Sequence, residues 1–167
     1  MKYICGSYTS APSLFNYDQE LEMKFYEQIK LLPEIGGLEI PFWGTKCHPF
    51  GDNFLYSCLK DNWLNNLTCV PCAVSANKLD ARVGLASTDE NSRLEALAIH
   101  KRAHQAFLKV NDYFGVNVFR AVQIASAPPQ KNGQSSAFSL TKSLEQIIEW
   151  DWAGAKIFIE HCDEFKA

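Results

Sequence analysis

The sequence predicts an α/β domain with a parallel sheet. Three observations predict it. Short apolar runs alternate with longer amphipathic stretches, as in successive βαβ units. Several runs carry or end in polar side chains, and the carboxyl ends of parallel strands are where such folds hold ligands. The 167 residues are 47% hydrophobic and 21% charged, enough for one domain with a sizeable core.

Taken in order, residues 3–8 form the first strand, an apolar run closing on Gly6-Ser7-Tyr8. A loop containing Pro12 leads to a helix over residues 17–32, with Leu21, Phe25, Ile29 and Leu32 near helical spacing. Pro33 and Gly36-Gly37 end it. Residues 38–42 are the second strand, with Glu39 inside an apolar run. Residues 43–51 are loop, broken by Gly44, Pro49 and Gly51, and residues 52–59 form a short helix. The run 67–74 reads as the third strand, with Pro71 at its end because proline donates nothing to a central ladder. A long connection over 75–86 follows.

Ser87 and Glu90 have capping-box spacing, and Asp89 is the alternative N-cap of a long helix reaching Phe114. Ile99, Ala103, Ala106, Val110 and Tyr113 share one face of it, and Gly115 closes it. Residues 118–124 are the fourth strand and 125–136 a loop with two prolines. Residues 140–150 are helical, with Leu144, Ile147 and Ile148 inward. Gly154 leads into Lys156-Ile157-Phe158-Ile159-Glu160, the fifth strand.

A formal charge of -3 argues against a phosphate-backbone binder, so no nucleic-acid partner is expected. No apolar run is long enough to span a bilayer, so no membrane partner is expected. The first residues lack a signal peptide's apolar core, which implies a cytoplasmic protein. Its six cysteines are then expected as reduced thiols.

Gly37-Leu38-Glu39-Ile40-Pro41-Phe42, Gly84-Leu85-Ala86-Ser87-Thr88-Asp89, Gln123-Ile124-Ala125-Ser126-Ala127-Pro128 and Ile159-Glu160-His161-Cys162-Asp163 together resemble a bacterial family of unknown function. The resemblance extends to the xylose-isomerase-like TIM-barrel superfamily. The resemblance implies that the chain supplies five strands and four helices of a (β/α)8 barrel, as one partial domain over residues 1–167. A complete barrel takes about 250 residues, so the chain is expected to be truncated after strand five. The implied function is a metal-assisted isomerase or epimerase acting on a sugar or sugar derivative, inactive without the rest of the barrel. The alternative is a non-catalytic remnant or small-ligand-binding module on an open doubly wound sheet.

Within the implied site, Glu160 matches the Glu that ends strand five and binds a divalent metal (Mn, Mg, Zn or Co). Glu160 and Glu39 are the candidate catalytic carboxylates, set against the plainer reading of strand-end ion pairs. Gln123, which both donates and accepts, suits sugar hydroxyls. His161 follows Glu160, and His48 lies in the loop after strand two, so both are candidate substrate-binding residues. The expected ligand is a small carbohydrate, and exposed strand edges are expected to promote self-association.

Two further motifs weigh less. Cys69-Val70-Pro71-Cys72 has thioredoxin spacing but reads as strand, which sends its thiols to opposite faces. His100 and His104 have metal-chelating spacing on a helix, yet read as a solvated face.

Overall fold

The computed structural model describes residues 1–10, 18–127 and 134–160. Within them the order is β1 (Tyr3–Gly6), α1 (Gln19–Leu31), β2 (Ile35–Pro41), α2 (Asp52–Cys58), β3 (Asn65–Thr68), α3 (Val70–Leu79), α4 (Glu90–Phe114), β4 (Phe119–Ala125), α5 (Ala137–Ile148) and β5 (Lys156–Glu160). The five strands form one sheet in the order of the chain, every neighbouring pair parallel. A sequential order contains no reversal, so the described strands hold no topological switch point of the doubly wound kind.

Successive crossovers of one hand place the helices on one side of such a sheet. Burial agrees. Leu38, Ile40, Leu67, Val122 and Ile124 are fully buried and share a core with helix residues such as Ile99, Phe107 and Ile147. The alternate residues Glu39, Asn66, Gln123 and Glu160 fall on the other face, because side chains alternate along a strand.

Local chemistry explains the helix ends. Asp18 caps α1, accepting from the backbone N–H groups of Glu20 at 3.0 Å and Leu21 at 2.9 Å. Asp89 caps α4, accepting from Ser92 N at 2.8 Å, and Gly115 ends it at φ 64°, a left-handed conformation that suits glycine. Ser136 caps α5 through Ser139 N.

The structure has five helices rather than four, and α3 is the addition. The run expected as strand three is a short strand, Asn65–Thr68, followed at once by α3. Pro71 stands in the first turn of α3, where a missing N–H costs nothing. The cysteine motif therefore opens a helix instead of lying on a strand. Cys69 is the N-cap, and Cys72 donates its thiol to the Cys69 carbonyl at 2.9 Å.

Three helix faces also differ from their expected positions. In α1 the buried residues are Glu22, Tyr26 and Ile29, while Leu21 and Leu32 are exposed. In α4 Tyr113 is exposed, stacked on Tyr56 at 3.9 Å between ring centroids. In α5 Ile147 is buried and Ile148 is exposed. His100 and His104 are both buried, not solvated. Each is tied to a main-chain carbonyl, His100 Nδ1 to Ala96 at 2.8 Å and His104 Nε2 to Asp151 at 2.7 Å, so they do not form a chelating pair. Among the described residues, no helix is long and apolar enough to cross a membrane.

Candidate functional site

The face opposite the helices carries a row of four polar side chains, one from each of β2 to β5. Register builds it. Glu39 pairs with Asn66 across β2 and β3. Asn66 pairs with Ala121, which puts Gln123 one same-face step further along β4. Gln123 pairs with Phe158, which puts Glu160 one step further along β5.

The side chains join through hydrogen bonds. Asn66 Nδ2 donates to Gln123 Oε1 at 3.0 Å and to Glu39 Oε2 at 3.4 Å. Gln123 Nε2 donates to Glu160 Oε2. Two carboxylates thus flank two carboxamides, and each carboxylate accepts from an amide. Ser7, just after β1, extends the row by donating its Oγ to the Glu39 main-chain carbonyl at 2.9 Å.

The sequence reading did not single out Asn66. It is buried, and its Oδ1 has no hydrogen-bond partner among the described residues. The signal available was two consecutive asparagines before an apolar run. They do different work. Asn65 accepts from Leu38 N at 2.8 Å and donates to the Val118 carbonyl at 3.1 Å. It satisfies backbone groups where the β3–β4 register shifts.

His48 lies off this row. It lines a small recess with Ser7, Glu22, Tyr26 and Trp43. Its Nδ1 accepts from Phe50 N at 3.2 Å, so the neutral ring carries its proton on Nε2, 3.7 Å from Glu22 Oε2. Both side chains are almost fully buried. Burial, helped by nearby Lys46, pushes the His48 pKa down to about 4, so the ring is neutral at pH 7. Phe54 covers it, 4.5 Å away between ring centroids. On the rim of the same recess Tyr8 and Trp43 meet edge to face at 6.4 Å. They lie two residues past the ends of β1 and β2. His161 lies outside the described residues.

Within the described residues the donor set does not complete a divalent-metal centre. Among the described residues no group of three or more His, Cys, Asp or Glu side chains could hold a metal ion. Two amides separate Glu160 from Glu39, and a single carboxylate makes a weak site.

The family described as "Domain of unknown function (DUF4862)" matches residues 4–167. The chain belongs to that family. A DUF4862 chain of this kind is also similar to an uncharacterized protein of Salmonella typhimurium, 31% identical over 163 residues. The match covers 96% of the present chain and 52% of the Salmonella protein, so the chain spans about half the length of that relative. No solved structure matches.

Proposed function

We propose that this chain forms the substrate-binding part of a cytoplasmic sugar isomerase or epimerase built on a (β/α)8 barrel. The observation that carries the reading is the row Glu39–Asn66–Gln123–Glu160 on the sheet face away from the helices. Amides that donate and accept suit the hydroxyls of a small carbohydrate. Carboxylates at the two ends suit proton transfer beside a carbonyl, Glu160 and Glu39 acting as acid and base. The exposed Trp43, paired with Tyr8, offers an apolar surface to the carbon face of a sugar ring. Sequential strands with helices on one side support the barrel.

A divalent metal (Mn, Mg, Zn or Co) enters this reading only with ligands from outside the described residues, and no step is routed through it. The edge of β5, where Phe158 and Ile159 are exposed, would take the next strand of the barrel. Without such a strand the same edge would support self-association.

The test is hydrogen exchange into carbohydrate. The natural protein is incubated in D2O with a panel of aldoses and ketoses, and NMR reads deuterium at the carbon next to the carbonyl. Exchange that falls at least 100-fold in both Glu160→Gln and Glu39→Gln is expected. Exchange with no sugar, or exchange indifferent to both variants, overturns the proposal. A second reading, a module that only binds, is favoured by the two carboxamides, Asn66 and Gln123, that hold the middle of the row. It predicts sugar binding that depends on Gln123, with no deuterium incorporated.

A further inference from the structure

We propose that a cleft in the helix layer binds a phosphate group. It lies between the loop after β2, α2 and α4, on the side of the sheet away from the polar row. The inference stands apart from the proposed sugar chemistry.

The cleft has a volume of about 220 Å³. Lys46, Arg102 and Lys109 line it against a single carboxylate, Asp52. Three cations gather there on a chain whose formal charge is -3. Lys109 is bound to Asp52 at 2.6 Å, which uses the one local anion. Lys46 and Arg102 have no acidic partner among the described residues. They are held by main-chain carbonyls instead, Lys46 Nζ by Pro49 at 2.7 Å and Arg102 Nε by Gly44 at 2.9 Å. Those contacts fix both side chains without neutralising them. The terminal guanidinium nitrogens of Arg102 keep the fork that pairs with a phosphate.

A second observation points the same way. Tyr56 lines the cleft and is 8% exposed, and its hydroxyl has no hydrogen-bond partner among the described residues. Its charged neighbours, Asp52 and Lys109, line the same cleft. Stacking on Tyr113 holds the ring. A buried hydroxyl without a partner is costly, and an oxyanion seated above it supplies an acceptor. Tyr56 and Gln105 add neutral donors to a cationic rim, a combination suited to a compact dianion.

The test is calorimetric titration of the full chain with inorganic phosphate and with glycerol 2-phosphate, against chloride at matched ionic strength. Saturable binding to both phosphates is expected, weakened at least tenfold in Arg102→Gln and in Lys46→Gln and severalfold in Tyr56→Phe. Asp52→Asn removes the one carboxylate and is expected to tighten binding at least threefold, a gain that damage to the fold does not mimic. Glu160→Gln leaves affinity unchanged. Tighter binding of the monoester identifies an organic phosphate as the ligand, and equal binding identifies free phosphate. The proposal is overturned by binding no stronger than chloride, or by equal affinity in wild type, Arg102→Gln and Lys46→Gln. An Asp52→Asn variant that binds no better than wild type also counts against it.

Discussion

One nitrogen of Asn66 bridges three strands: Nδ2 lies 3.0 Å from Gln123 Oε1 on β4 and 3.4 Å from Glu39 Oε2 on β2. Both of its protons are committed, so the carboxamide cannot turn over without setting oxygen against oxygen at two contacts. Asn66→Asp places a third carboxylate in the row. It is expected to lower stability by about 1–3 kcal/mol, the usual range for a buried polar group deprived of its partner. The deficit against wild type should shrink as pH falls and carboxylates protonate. Urea unfolding of both proteins across pH 4–8 checks this.

Gly37 is needed for close approach rather than for a special turn. A Cβ there would come within 2.3 Å of the Leu64 carbonyl oxygen, a main-chain atom that cannot swing away. Gly37→Ala is expected to destabilise by about 1–3 kcal/mol, the range for forced overpacking. Gly44→Ala meets no neighbouring atom, and its cost comes only from its left-handed backbone. Thermal unfolding of the two variants should separate a clash between strands from local loop strain.

Acid should destabilise the fold through His100. Burial pushes its pKa down from 6.5 to about 4, against a raising contribution from the Ala96 carbonyl. The unfolded chain takes up a proton below pH 6.5, and the folded chain refuses it until about pH 4. The associated stability is fully present above pH 6.5 and is lost as pH falls through 4. The slope in that window is up to about 1.4 kcal/mol per pH unit for one such group. His48 adds a similar slope in the same window, so His100→Gln should reduce the slope without abolishing it, as read from denaturant midpoints at a series of pH values.

Native thiol labelling should rank the cysteines by burial. The hydrogen bond with Cys72, then burial, pushes the Cys69 thiol well up. Burial, then the nearby Asp52 carboxylate, pushes Cys47 up to about 12, and burial pushes Cys58 to about 11. Thiolate is the reactive form, so all three should resist alkylation at pH 8 until the protein unfolds. Among the described cysteines Cys5, only half-buried, should label first. Peptide mapping by mass spectrometry reads the order. A Cys69–Cys72 disulfide in native protein would contradict it, since both are free thiols in this structure.

The sheet was readable in the sequence because most of its strands are short apolar runs, and α1, α4 and α5, which lie between them, carry side-chain caps. Gly115 marked the end of α4, and of the two N-cap candidates, Ser87 and Asp89, the structure uses the second. The α3 helix was not readable because residues 67–74 are apolar but for Thr68, and a nearly unbroken apolar run has no period to tell strand from helix. Pro71 held the answer, since proline favours the first turn of a helix over the interior of a sheet. Glu39 and Gln123 stood out as polar residues inside apolar strands, and they do share one face. Asn66 did not, because it precedes its apolar run. The burial of Glu22 escaped notice for another reason. Its partner His48 is remote in sequence, and helical spacing alone favoured Leu21 as the inward position.

The polar row is an insulator. An amide N–H does not leave its nitrogen at ordinary pH, so Asn66 and Gln123 can orient Glu39 and Glu160 but cannot carry a proton from one to the other. A proton taken up at one end of the row therefore stays there until a bound molecule or solvent removes it.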